Sequence, residues 1–286
     1  MKYFTFILSK DEIKKIKDVY KDFNVTHNDV NIDMQYKRNN TDLILYKSGK
    51  LLLRGRLLTN ERSFIKKVLN RKDYAAIGSD EVGTGDVFGP VTVCAAYVTL
   101  DDIEYLESLN IRDSKSVNDK FIVENAPKIA KRLNHSLIIL DPIKYNALIE
   151  KGYNMNKIKA HLHNQAIVSL HAKLKGPNVP IILDQFCPPK QYYNYLKDEL
   201  LVNRDIVFHT KAENVHIAVA AAAIIARYGF LYSLQECSKK VNLNLAKGAS
   251  KKVDEQLKYL INNFDEDILD DVAKTNFKNV TKLIAQ

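Results

Sequence analysis

Residues 77 to 90 read Ile77-Gly-Ser-Asp80-Glu81-Val-Gly83-Thr84-Gly85-Asp86-Val-Phe88-Gly89-Pro90. An apolar run, Ala75 to Ile77, leads in, and Val91, Val93, Ala95 and Tyr97 alternate on the way out. This pattern predicts two β-strands joined by a turn whose backbone comes close to something, since glycine leaves room for such an approach. Two adjacent carboxylates beside a glycine-rich turn point to a divalent cation and a phosphate ester.

Downstream, strands and helices alternate. Strands are predicted at 75–79, 91–98, 137–140, 181–183 and 206–209, and helices at 120–133, 158–174, 216–234 and 252–263. That alternation predicts an α/β sheet flanked by helices. Upstream, residues 1–67 have a different rhythm. A strand over 3–8 precedes a helix over 11–20, with Ser9 as its N-cap and Ile13, Ile16 and Val19 on one face. Three strand-like runs follow at 31–36, 42–46 and 50–53, separated by the turn residues Asn39-Asn40 and Ser48-Gly49, and a second helix covers 61–69. This is a small α+β unit with an antiparallel sheet. The polar stretch Asn70-Arg-Lys-Asp73 marks the boundary, giving a front domain over 1–67 and a larger one over 74–286.

Further acids fall where α/β folds place ligand chemistry. Asp184 ends the short apolar strand Pro180-Ile-Ile-Leu183, at a carboxyl edge. Glu213 stands just before the Ala-rich run 217–226, whose small side chains suit tight packing on a sheet. Taken singly, a turn Asp and a first-turn Glu are ordinary. Taken together, Asp80, Glu81, Asp184 and Glu213 would crowd four like charges into one pocket, which protons or cations must neutralise. Two Mg²⁺ or Mn²⁺ ions would do so and would form a phosphoryl-transfer site; oxygen ligands suit these ions better than zinc.

Composition narrows the class. The 286 residues are 46% hydrophobic and 27% charged, ordinary for a globular protein. The apolar start, Met1 to Ser9, is too short for a signal peptide, and no apolar stretch is expected to cross a bilayer. Cys94, Cys187 and Cys237 are odd in number and scattered, which argues against a disulfide framework and a cysteine zinc site and leads to a cytoplasmic expectation. The net charge of +9 is uneven, with 15 Lys and Arg against 8 Asp and Glu in residues 1–67, and 28 against 26 in the rest. A basic front on a near-neutral body fits an anionic polymer partner.

These motifs resemble those of the bacterial ribonuclease HIII family, a branch of the type 2 ribonucleases H. Gly78-Ser-Asp80-Glu81-Val-Gly83-Thr84-Gly85-Asp86 is similar to its signature, where ribonucleases HII carry Gly-Arg-Gly. Asp113-Ser114-Lys115, Leu183-Asp184-Gln185-Phe186 and Lys211-Ala-Glu213 follow in the family order. A Glu at position 213, where the HII type usually has Asp, favours HIII. Val87 stands where an aromatic is expected and should affect packing only. The resemblance implies a ribonuclease H-like catalytic domain behind a small substrate-binding domain with a TATA-binding-protein-like sheet. It implies hydrolysis of the RNA strand of an RNA–DNA hybrid, with 5′-phosphate and 3′-hydroxyl products, by a monomer that needs no membrane. The catalytic and metal-holding residues would be Asp80, Glu81, Asp184 and Glu213. Gly83, Thr84 and Gly85 would reach the 2′-hydroxyls of the substrate, and Ser114 and Lys115 its backbone, although Asp-Ser-Lys also suits a helix-entry turn. Two competing readings are an HII-type enzyme cutting at single ribonucleotides and a non-catalytic hybrid-binding protein.

Other candidates carry less. His161 and His163 do not share a helical face, so a shared metal is not expected. His209 and His216 lie nearer the acids, but packed or exposed roles are commoner. Tyr192, Tyr193 and Tyr195 are expected to pack rather than stack on a nucleic acid.

Overall fold

Alternating side chains on short strands set the plan of both halves of the chain. The computed structural model describes residues 2–56, 58–71, 73–109, 111, 117–265 and 267–284. They group into two compact units, Met1–Tyr74 with Thr99–Asp113, and Ala75–Val98 with Ser114–Gln286.

The first unit contains β1 (Lys2–Ile7), α1 (Lys10–Tyr20), β2 (Asn24–Val25), β3 (Ile32–Arg38), β4 (Thr41–Tyr46), β5 (Lys50–Gly55) and α2 (Thr59–Val68). Its antiparallel sheet runs β1-β5-β4-β3-β2. Ser9 caps α1 reciprocally with Glu12: the Glu12 N–H donates to Ser9 Oγ at 3.3 Å, and the Ser9 N–H donates to Glu12 Oε2 at 2.8 Å. Asn39 and Asn40 both take positive φ, 49° and 57°, which the tight turn between right-twisted strands requires. Phe4, Phe6, Leu43, Leu45, Leu51 and Leu53 pack one sheet face against Ile16 and Tyr20 of α1 and Ile65 of α2. The opposite face carries Lys37, Asp42, Leu52 and Arg54, with Arg54 across from Asp42 and Asp42 across from Lys37. Residues 100–108 form a helix the periodicity did not reveal, α3 (Leu100–Ser108), which groups with this unit. Its buried Glu107 accepts from Arg62 at 3.0 Å and Lys66 at 2.8 Å.

The second unit has β6 (Ala76–Val82), β7 (Val91–Val98), α4 (Asp119–Arg132), β8 (Asn134–Leu140), α5 (Pro142–Glu150), α6 (Met155–Lys173), β9 (Ile181–Asp184), α7 (Pro189–Tyr195) and β10 (Ile206–His209). Helices α8 (Ile217–Lys240), α9 (Lys251–Asn263), α10 (Ile268–Val272) and α11 (Lys278–Ile284) complete it. The sheet runs β10-β9-β6-β7-β8; β6, β7 and β8 are antiparallel neighbours, and β9 and β10 run parallel to β6. The two-residue period of β6 sends successive side chains to opposite faces. Ile77 joins Ile181 and Leu183 in a core with Ile158, Leu162 and Ala166 of α6. Ala76 and Ile182 pack on the other side with Ala212 and Val219 of the α8 entry. The expectation that no stretch could cross a bilayer needs correction. Helix α8 has the necessary length and apolarity, yet 67% of its apolar window is buried inside the unit.

One contact fixes how α8 meets the sheet. A Cβ built on Gly78 would lie 2.2 Å from Val219 N and 2.3 Å from Ala218 C. Backbone meets backbone there, and glycine inside a strand marks such an approach. The Gly78→Ala variant is therefore expected to lose about 1–3 kcal/mol of stability or more through overpacking, measured by chemical denaturation. Wild-type stability would show that α8 can slide away freely.

Candidate active site

Asp80 and Glu81 occupy successive positions near the end of β6, so they serve different sides of the sheet. Asp80 follows Ala76 and Gly78 onto the α8 side, and Asp184, two residues after Ile182, closes β9 on that same side. The Ala212 N–H donates to Asp184 Oδ1 at 2.8 Å. It thereby ties β9 to a 3₁₀ turn, Ala212–Asn214, that carries the buried Glu213. The turn is entered through Lys211 at φ 56° and leads into α8, whose N-cap is His216, with Nδ1 accepting from the Ala218 N–H at 3.1 Å. His216 is thus a capping residue. His209 pairs with Asp184 in the strand ladder, and its carbonyl accepts from Gln185 N at 2.9 Å.

Burial comes first among the forces on Asp80, followed by the charges of Glu81, Asp184 and Glu213. Together they push its carboxyl well above the usual range, against a hydrogen bond from the Glu81 N–H at 2.7 Å. The acids named from the sequence therefore feel one another. Across the ladder from Asp80 stands Cys94, whose thiol is raised by burial and by the Asp80 charge and stays neutral.

Glu81 has a different environment. Lys159 Nζ donates to its Oε1 at 2.9 Å, and His163 Nε2 meets its Oε2 at 2.9 Å. Burial alone would raise the Glu81 carboxyl, but His163 and Lys159 outweigh it and hold the group below its ordinary value. His163 is fully buried, with Nδ1 2.7 Å from Ser79 Oγ and its ring stacked on Phe186 at 5.4 Å. Nε2 must carry a proton to serve a carboxylate. Ser79, His163 and Glu81 line up like a nucleophilic triad, but Ser79 is fully buried and also lies 3.1 Å from the Cys94 carbonyl. The line holds Glu81 in place. Sequence reasoning missed Lys159 and gave His163 no role. The one available signal was their i, i+4 spacing, which places both on one face of α6. His161 points elsewhere and pairs with Glu199 at 2.8 Å.

The glycine-rich loop is rigidly built. Gly83 has φ +94°, and a Cβ there would lie 2.2 Å from the Pro90 carbonyl oxygen, whereas a Cβ on Gly85 would meet nothing. Gly83 therefore shapes the turn, while exposed Gly85 leaves it open to a ligand. The Gly248 N–H donates to Asp86 Oδ1 at 2.6 Å, and Gly89 N donates to the Val272 carbonyl at 2.9 Å. Lys274, fully buried, donates its backbone N–H to the Val87 carbonyl at 2.8 Å and its Nζ to the Gly89 carbonyl at 2.5 Å. Burial pushes its ammonium down to about 7, against the pull of Asp86 and Cys237. Val87 is buried among the C-terminal helices, a packing role. Tyr192 is fully buried in the sheet core, with Tyr193 and Tyr195 packed against that core. Asp113, Ser114 and Lys115 lie outside the described residues.

Comparison with known proteins fits this geometry. The family model described as Ribonuclease HII matches residues 77–280. The ribonuclease HIII of Phytoplasma mali (strain AT) is 46% identical over 99% of this chain and 98% of its own. That of Bacillus mycoides (strain KBAB4) is 42% identical over 83% of each. A crystal structure of Bst-RNase HIII in complex with Mn²⁺ superposes with a TM-score of 0.74 at 32% identity, covering 99% of this chain and 98% of that one. The ribonuclease H-like fold and the small antiparallel front unit expected from the resemblance are both borne out. Likeness of this depth over nearly the full length places the chain in the ribonuclease HIII family, within the wider group of ribonucleases HII.

Proposed function

We propose that this protein is an endoribonuclease that hydrolyses the RNA strand of RNA–DNA hybrids, with Asp80, Glu81, Asp184 and Glu213 holding divalent cations. The observation that carries the reading is the crowding of Asp80 by Glu81, Asp184 and Glu213, which raises its carboxyl. Such a pocket is unfavourable when fully ionised, and bound cations relieve it. The donor set fits hard cations: four carboxylates, and a neighbouring Cys94 kept as neutral thiol. Among the described residues, no three of His, Cys, Asp and Glu stand close enough to hold an ion without adjustment. Glu81 in particular is already taken up by Lys159 and His163.

Two Mg²⁺ or Mn²⁺ ions, when bound, would supply an activated water and neutralise charge on the departing 3′ oxygen, giving 5′-phosphate and 3′-hydroxyl ends. The protein's own groups do the rest. The Ala212 amide orients Asp184, and His163 and Lys159 orient Glu81. The close approach at Gly78 fixes the first turn of α8, which follows the Glu213 turn in the chain. The open backbone at Gly85 can meet the shallow minor groove, where a contact to a 2′-hydroxyl tells RNA from DNA. The basic front unit suits the phosphates of the hybrid, with Lys37 exposed on the sheet face opposite its helices and Arg54 beside it, paired with Asp42 at 2.9 Å.

Three outcomes test this reading. Asp184→Asn keeps an acceptor for Ala212 N but loses charge. Its cleavage of a labelled hybrid in Mg²⁺ should fall roughly a hundredfold or more while hybrid binding persists; wild-type rates would refute the assignment. Lys37→Ala and Arg54→Ala should each reduce the slope of log affinity against log salt by about one, and unchanged slopes would remove the front sheet from the interface. The third concerns pH. The carboxyl of Asp80 titrates higher folded than unfolded, so stability falls as pH rises from the ordinary carboxylate range through the raised value. Without added metal, Asp80→Asn should therefore melt higher than wild type at neutral pH, and the advantage should vanish on acidification below that range. Equal melting temperatures at both pH values would mean that the acids do not crowd.

A further inference from the structure

Lys159 brings a positive charge to the acidic pocket, at Glu81. It is 8% exposed, its ammonium lies 2.9 Å from Glu81 Oε1, and it sits 4.1 Å from the centroid of the Phe186 ring. The same ring stacks on His163, which holds the other oxygen of Glu81. Lys159 and His163 are four residues apart on α6, so one helix face delivers both. Their chemistry differs: the planar ring presents one fixed donor to Glu81, whereas the ammonium is a compact charge with three rotatable donors.

A charge at this distance is large on the scale of ion binding. Coulomb interaction between charges a few ångströms apart is only partly screened near a protein surface. A divalent ion engaging Glu81 meets the Lys159 charge as repulsion and must also replace its hydrogen bond at Oε1. We propose that Lys159 is a resident counter-cation of the acidic site, competing with the divalent ion for Glu81 and thereby weakening ion affinity. His163 keeps Oε2, so the exchange occurs at Oε1 alone. Lys159 is a positioning residue that stabilises the ion-free pocket. The inference rests on the reading that these carboxylates bind divalent cations.

The test is a Mn²⁺ titration of the full chain followed by the electron paramagnetic resonance of the free ion, with no substrate present. Lys159→Met and Lys159→Gln remove the charge and should bind Mn²⁺ about tenfold more tightly than wild type. They should also melt lower than wild type without the ion and gain more in melting temperature when it is added. Lys159→Arg keeps the charge and should bind within about twofold of wild type. Neutral variants that bind no tighter, or an Arg variant that tightens as they do, would overturn the proposal while leaving the metal site intact. Absence of Mn²⁺ binding by the wild type would instead refute the metal site itself, and this inference with it.

Discussion

Repulsion among carboxylates is the constraint on which the rest of this molecule depends. Asp80 is half-buried beside three other acids, and its carboxyl is raised by desolvation first and by their charges second. Nothing about fold stability calls for such an arrangement, since an isolated core would be better served by apolar side chains. The arrangement makes sense only if the pocket is completed by positive charge from outside the carboxylate set. Lys159 supplies part of that charge from within the chain, at one oxygen of Glu81.

The fold answers this constraint by dividing the acids between two sides of one strand. The period of β6 sends Asp80 toward α8 and Glu81 toward α6. On the α8 side, the missing side chain at Gly78 lets the helix backbone rest on the strand backbone, and Thr92 adds a hydrogen bond to the Ala226 carbonyl at 3.0 Å. An Ala-rich helix follows from that closeness, and so does its membrane-like hydropathy, which belongs to a buried core helix. On the α6 side, Glu81 is held by two donors, Lys159 and His163. The glycine-rich loop beyond is locked by Lys274 and Gly248, so an exposed Gly85 is presented on a fixed frame.

Much of this was legible in the sequence because it is local. Ser9 with Glu12 announces a capping box, Asn39-Asn40 announces a tight hairpin, and the alternation of 91–98 announces β7 with its observed bounds. Asp80, Glu81, Asp184 and Glu213 could be named because each lies at the end of a readable element. What escaped is long-range or weakly periodic. The partnership of Glu81 with His163 spans 82 residues, and no spacing rule encodes it. Helix α3 has little amphipathic pattern, although Thr99 and Asp102 form a capping box at its start. Helix α7 is short and begins at Pro189, a helix-start signal easily read as a break. Gly78 sat inside a recognised motif, yet its reason lies in a helix packed against it from 140 residues away.

The most direct test of the central claim follows the Asp80 carboxyl itself by carbon-13 NMR across pH, first without metal and then with Mg²⁺ added. Crowding by the other acids should place the metal-free midpoint well above the ordinary carboxylate value of about 3.9, and the ion should bring it back down. A carboxyl that titrates at its ordinary value under both conditions would contradict that crowding.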